Sequence, residues 1–443
     1  MNQTSTAPSS PATPPEPAFN CDIGETADAL ERMCEFRAQF GDIYRVYSPA
    51  RRGFVYVINH PDDVKRVLVS NHANYRKGFG LDRVRMLLGN GIVTSDGELW
   101  RTQRYMMQPL FHRRVVTQFA AIIDAANERL LERWLGQTAH GETINVTDEM
   151  SDVTLDFILR AIFGADLDRL AQQMGENPFD FITKESARDL AFASKVYRLR
   201  RLVVEIIARR RAASEESLDL IGMLVQARDK ASGAPMGERE LLDEVMTLII
   251  AGHETAASGL NSVWYLLSQH PEVEARLRDE LAAVLGDRTP TIDDLPDLCF
   301  TRMVIEESMR LYPPAWAMGR QATRDVALGP YLLPVGTYFF FSQYIIQRSA
   351  EQYPDPLRFD PERFTPENKA GRSKFVYFPF GAGSRQCIGE SFAWMEATLV
   401  LATLAQRWRL RLIPGQKLEV QPKITLRPKY GIRMVPELRV GAS

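Results

Sequence analysis

Cysteine is nearly absent from this chain: Cys21, Cys34, Cys299 and Cys387 are the only four in 443 residues. None sits in a CxxC pair, which excludes a zinc ribbon and a thioredoxin-like dithiol site. So few in so long a chain also argues against a disulfide framework and suits a reducing, cytoplasmic setting. An excess of one charge is missing too, with 54 Lys+Arg against 56 Asp+Glu. That balance offers no general hold on nucleic acid or an anionic membrane. The short basic runs at 198–201 and 209–211 read as solvated helix faces. No run of about 18 apolar residues occurs, so no membrane anchor is expected. No internal repeat is visible. The first residues, MNQTSTAPSSPATPPEPAFN, form a Ser/Thr/Pro-rich tail without the charged-then-apolar pattern of a leader. Disorder is expected over 1–20.

What is present is enough apolar residue for a large core, 45% of the chain. FVYVI, residues 54–58, reads as a strand, and HPDDVKRVLVS places Pro61 in the first turn of a helix. Helical periodicity runs from about 98 to 230, broken at GQTAHGETINV and MGENPF. A long apolar helix is predicted over 241–268, closed by His270-Pro271. Another covers 298–311, ahead of Pro313-Pro314. From 319 to 342 the pattern turns β-like, with turns at Gly329-Pro330 and Pro334-Val335-Gly336. Residues 349–378 are proline-rich and aromatic, loop-like yet packed. An apolar helix follows over 389–408, then short strands. The fold class predicted is mainly α with a smaller β portion, in a single domain over 21–443.

One of the four cysteines lies in a glycine-rich loop, FPFGAGSRQCIG, residues 378–389. Gly381, Gly383 and Gly389 permit tight turns and close backbone approach. Cys387 stands just before a predicted helix, whose N-terminus favours a thiolate, and loop N–H groups can tune a metal bound to that sulfur. A cysteine in such a place packs as a small hydrophobe, works as a redox thiol, or ligates a cofactor. A lone thiolate among glycines and an aromatic suits one axial bond to a flat cofactor. Phe380, Gly383, Arg385, Cys387 and Gly389 fall on the pattern F-x-x-G-x-R-x-C-x-G. This resembles the haem-binding loop of the cytochrome P450 family.

The resemblance covers about residues 35–435 and implies that Cys387 is the proximal thiolate ligand of haem iron, beside Phe380. LIIAGHETAA resembles the family's acid–threonine pair on a long helix over the distal face. Glu254 and Thr255 would relay protons there, with Ala251 beside them and Gly252 leaving room for O2. In EESMR, Glu307 and Arg310 share a helix face. With Arg363 of FDPERF they match a buried charged network that holds the surroundings of the cysteine loop. Trp100 and Arg104, at i, i+4 in WRTQR, match donors to the haem propionates, as do Arg320 and Arg385; guanidinium forks suit carboxylates. Ala315, Trp316 and Met318 of PPAWAM, with 78–92 and 249–256, are expected to line an apolar pocket. Two departures stand out. Gln347 occupies a place where the family often has His or Asn before Arg348. The stretch from FGADL to VEIIARRR is shorter than the family's roof helices, which implies a compact or unusual roof over about 165–205.

The activity implied is that of a haem b (iron protoporphyrin IX) monooxygenase with O2 as co-substrate. It would hydroxylate or epoxidise a small apolar molecule, in terpenoid, fatty acyl or other secondary metabolism. No G-x-G-x-x-G unit or CxxC cluster is left for a flavin, nicotinamide or iron–sulfur module. Electrons from NAD(P)H are therefore expected through separate proteins, a ferredoxin with its reductase or a flavodoxin-type donor, docking at Arg101, Arg113 and Arg114. The chain is expected to work as a cytoplasmic monomer. The competing readings are a haem-thiolate enzyme without reductive O2 activation (peroxygenase, isomerase or nitric oxide reductase) and a haem-binding sensor or carrier.

Overall fold

The computed structural model describes residues 13–439 apart from 25, 27, 79, 139–141, 185–189 and 214–216. The helices that position the site are α1 (Ala29–Phe40), α2 (Gly97–Met107), α3 (Ala120–Thr138), α4 (Val146–Phe163), α5 (Ala165–Met174), α6 (Leu190–Ala213), α7 (Glu238–Gln269), α8 (Cys299–Leu311) and α9 (Glu390–Arg407). Helix α7 is the long apolar run, a turn longer than the predicted 241–268. Its first turn is closed by Glu240, whose carboxylate accepts the Gly237 N–H at 3.2 Å. It stops at His270, where Pro271 takes the first position of the next helix.

Helices α4, α6, α8 and α9 pack against α7, α3 packs on α4 and α9, and one buried cluster runs through all of them. Phe157 of α4 and Phe392 of α9 stack with centroids 4.9 Å apart. Burying each such side chain contributes about 1.5–3 kcal/mol. The contact fixes the first turn of α9, and with it the position of the cysteine loop that leads into it.

The smaller β portion is a five-stranded sheet, made of β1 (Ile43–Ser48), β2 (Gly53–Ile58), β3 (Tyr75–Lys77), β4 (Met318–Ala322) and β5 (Tyr338–Phe341). Its order is β1-β2-β5-β4-β3. β2 runs parallel to β5, with Val57 opposite Phe340, while β3 pairs antiparallel with β4. That last register sets Lys77 directly opposite Arg320. Like charges facing each other across a ladder are destabilising unless something compensates them.

One expectation is revised and two are given detail. Of the tail, residues 1–12 lie outside the described residues, but order begins before residue 20. The Arg45 N–H donates to the Pro15 carbonyl at 2.9 Å, Arg45 pairs with Glu16 at 2.7 Å, and Phe19 packs on Phe36 of α1. The helix opened by Pro61 runs on past Lys65 as a wider π turn over Arg66–Ser70. The roof consists of α5, a single turn at Phe181–Lys184, and the longer α6. Among the described residues, no helix is long and apolar enough to cross a membrane.

Candidate active site

The cysteine loop is folded by its own backbone and pinned from outside. The Cys387 N–H donates to the Phe380 carbonyl at 2.9 Å, and Gly381 N–H to Phe378 at 2.9 Å. Gly383 has φ +71°, and a Cβ there would stand 2.1 Å from the Leu68 carbonyl of the π turn. Glycine is therefore required at that position. Phe380 lies against Trp394 of α9, centroids 5.4 Å apart. Cys387 is accessible, yet burial pushes its thiol up. Both hold when the sulfur faces an internal hollow rather than the outer surface. The Gly389 N–H and the Arg104 charge pull the thiol down, as the helix start predicts, but desolvation outweighs them. A metal coordinated there would deprotonate the thiol outright.

The second feature is an excess of half-buried positive charge. Arg385 donates to the Ser95 carbonyl at 3.2 Å, pairs with Asp96, and lies 3.6 Å over the Trp100 ring. Arg320 donates to the Gly319 carbonyl at 2.8 Å. Lys77, absent from the sequence reading, donates its Nζ to the carbonyls of Ile92 and Val93 at 2.6 Å. Burial first, and repulsion from Arg385 after it, bring Lys77 down to about 7 and Arg320 down to about 10. Asp96 opposes this from the N-cap of α2, accepting the Lys77 backbone N–H at 2.8 Å. Three cations face the Asp96 carboxylate and the Glu244 carboxyl, which burial holds toward its neutral form, so the group can accept further anionic partners. Two propionates fit that deficit, and an axial thiol fits the iron. Arg104 faces the cysteine loop, donating to the Gln386 carbonyl at 2.8 Å.

Helix α7 is buried toward both ends and half-open at its middle, from Ile250 to Ala256 apart from His253. Thr255 Oγ1 donates to the Ala251 carbonyl at 2.8 Å. The Glu254 carboxylate turns toward the hairpin of β6 (Val420–Pro422) and β7 (Leu426–Pro428). There it accepts from Thr425 at 3.0 Å and Arg427 at 3.4 Å. One sequence expectation is given detail here and one is corrected. A Cβ on Gly252 would stand 2.7 Å from Ile158. That glycine therefore serves first to let α4 and α7 approach each other. Trp316 is buried against Phe340, with its Nε1 donating to the Lys423 carbonyl at 2.8 Å. It belongs to the core of the β portion and not to a pocket wall. Ala315 and Met318 are half-buried, and Met318 lies against Gly381 of the cysteine loop.

Behind the loop, Glu307 and Arg310 have no exposed surface and meet through bonds of 2.6 and 2.7 Å. Burial pushes the Glu307 carboxyl up while Arg310 draws it down. Arg363 approaches Glu307 to 3.4 Å, but its Nε lacks hydrogen-bond geometry. It donates instead to the Asp355 carbonyl at 2.9 Å. Gln347, the departure noted in the sequence, proves to be a brace. Its Nε2 donates to the carbonyls of Met309 and Arg310 at 3.0 and 3.2 Å, and its Oε1 accepts the Phe378 N–H at 3.3 Å. One amide thus links α8 to the start of the cysteine loop. Arg101, Arg113 and Arg114 are exposed, with Arg101 paired to Glu98.

The comparisons with known proteins agree with this geometry. The sequence profile of the family described as Cytochrome P450 matches residues 14–197 and 177–434. Cyclooctat-9-en-7-ol 5-monooxygenase of Streptomyces melanosporofaciens is 35% identical over 416 residues, 89% of this chain and 89% of its own. Pentalenene oxygenase of Streptomyces avermitilis is 33% identical over 411 residues, 88% of this chain and 90% of its own. The crystal structure of the cytochrome P450DA heme domain shares the fold, with a TM-score of 0.84 over 97% of this chain and 98% of that one, at 24% identity. From the cysteine loop to the whole-chain match, the protein belongs to the cytochrome P450 family and is one of its monooxygenases.

Proposed function

We propose that this monooxygenase oxidises a cyclic, largely hydrocarbon terpenoid, with Cys387 as the axial ligand of haem iron. The observation that carries the reading of the site is the pairing of a desolvated thiol with a group of undercompensated cations, Lys77, Arg320 and Arg385. A terpenoid substrate is supported by two relatives, at 33% and 35% identity, whose names specify pentalenene and cyclooctat-9-en-7-ol. Bound haem supplies the activation of O2 and the insertion of one oxygen atom. Arg320, Arg385, Lys77 and Trp100 hold its propionates, with Arg104 bracing the loop one residue from the ligand, and Phe380 lies beside it.

The chain's own residues then have defined tasks. Thr255 passes protons into the pocket once its hydroxyl leaves the Ala251 carbonyl, and Glu254, held by Thr425 and Arg427, feeds it through water. Ala251, Ala315 and Met318 present apolar surface to the substrate and keep bulk water out. Glu307, Arg310 and Arg363 keep the loop's supporting wall rigid. Electrons arrive from NAD(P)H through a ferredoxin and its reductase or a flavodoxin-type donor. The exposed Arg113 and Arg114 offer charge for docking, with Arg101 partly spent on Glu98.

The ferrous carbon monoxide spectrum tests the ligand. A thiolate-type, red-shifted Soret band is expected, and Cys387→His should abolish it; an ordinary histidine-type band in the wild type would overturn the assignment. A panel of cyclic terpenes, screened by the low-spin to high-spin Soret shift, tests the substrate class. With a hit in hand, Thr255→Ala should consume O2 with most of the product lost. Tight coupling in that variant would remove Thr255 from the relay.

A further inference from the structure

The loop over residues 89–93 joins the two halves of the site, and it is gripped from both. On the propionate side, the Lys77 Nζ donates to the carbonyls of Ile92 and Val93. On the distal side, the Ile92 N–H donates to Glu244 Oε2 of α7 at 2.9 Å. Glu244 is fully buried, and its Oε1 has no hydrogen-bond partner among the described residues. Neighbouring bonds press the loop onto the helix. The Asn90 N–H donates to Asp243 Oδ2 at 2.8 Å, and Arg200 of α6 reaches Asp243 Oδ1 at 2.7 Å. A Cβ on Gly91 would stand 2.2 Å from Thr247 Oγ1. Ile92 therefore has a buried carboxyl on its N–H and a half-buried ammonium on its carbonyl.

We propose that Glu244 is a positioning residue for the cofactor: through the Ile92 backbone it fixes the Lys77 ammonium against the propionates, so that the pocket roof and the propionate side act as one unit. The proposal rests on the haem-thiolate reading above. Charge supports the geometry. Burial pushes the Glu244 carboxyl up, and the Ile92 N–H and Lys77 pull it back. Asp243 and Glu240, on the same helix, push it further up. Lys77 faces Arg385 and Arg320, which lower it, and Asp96 and Glu244, which raise it. Glu244 thus passes from neutral to charged as pH rises through about 8, in Coulombic contact with Lys77.

The test compares haem-loaded wild type with Glu244→Gln, Lys77→Gln and the double variant, each checked for native helical content by circular dichroism. Two quantities are followed with pH: the rate of haem loss to a scavenging globin, and the iron reduction potential. Glu244→Gln should lose haem about threefold to tenfold faster, the size of one buried hydrogen bond. It should also lack the fall in potential with rising pH that a newly formed carboxylate imposes by favouring ferric iron. In the Lys77→Gln background, Glu244→Gln should add nothing to the rate of haem loss. Wild-type haem loss and an unchanged potential curve in Glu244→Gln, or additive effects on haem loss in the double variant, overturn the proposal. Gly91→Ala lifts the loop from α7 without removing a charge, and should speed haem loss while keeping the pH-dependent potential. Wild-type retention of haem in that variant overturns the proposal even where Glu244→Gln does not fold. The carbon monoxide spectrum separates the two readings. A wild type without the thiolate-type band fails the haem-thiolate reading; a normal band with an inert Glu244→Gln fails this proposal alone.

Discussion

Behind the cysteine loop, Glu307 and Arg310 meet through two hydrogen bonds, and the carbonyls of Gln347, Pro356 and Arg358 take the remaining guanidinium protons. At the edge of the five-stranded sheet, Lys77, Arg320 and Arg385 crowd together with Asp96 as their counter-charge. Both groups are desolvated arginine clusters, but only the first is satisfied by the chain itself. A paired, fully hydrogen-bonded buried charge holds protein to protein. An undercompensated one depends on a ligand and is silent about stability until that ligand is present.

Breaking the satisfied cluster should have the largest effect. Arg310→Met leaves Glu307 buried without its partner and should cost about 3–5 kcal/mol in denaturant unfolding; a loss below about 1 kcal/mol would mean that the network is incidental. Arg320→Met in the other cluster should split by state. Holoprotein should lose haem about tenfold faster as a charged contact to carboxylate disappears, while haem-stripped protein should be as stable as wild type or more so. Equal destabilisation of both forms would erase the contrast. The smallest effect is a slope. Lys77 falls from 10.5 to about 7 in the fold, so between those values the unfolded chain binds the extra proton. Stability of the haem-stripped protein should then rise with pH across that window, and Lys77→Gln should flatten the rise.

The satisfied cluster was legible in the sequence because its chemistry is local: Glu307 and Arg310 are three residues apart on one helix. The same is true of the cysteine loop, whose glycines and ligand lie within a dozen residues, and of α7, whose apolar run is continuous. The undercompensated cluster was only half visible. Lys77 and Arg320 are far apart in the chain, and their opposition follows from the β3–β4 register, which no local pattern states. Asp96 could have been found as a helix cap in SDGE, but a cap gives no hint of its second task as counter-charge. Trp316 and Gly252 show a different limit. Apolar or small residues beside a motif tell that a wall is near, not which side of it they face. The direction of Trp316 is set by Phe340 and the Lys423 carbonyl, and that of Gly252 by Ile158. Gln347 was noticed only as a mismatch, although its three bonds make it a structural equivalent of whatever normally stands there.

The register of β3 against β4 also bears on how the protein is made. β3 is an edge strand of three residues, and its last side chain faces a like charge. The carbonyls of Ile92 and Val93 and the Asp96 carboxylate offset that repulsion in part, and haem propionates would complete the compensation, so the edge should close most firmly in the haem-loaded protein. When synthesis outruns haem supply, the region from Tyr75 to Asp96 should be the first cut by proteases, and limited proteolysis with and without added haem would reveal it. Cellular yield of this enzyme would then be set less by how quickly the helices assemble than by how quickly a cell can provide its prosthetic group.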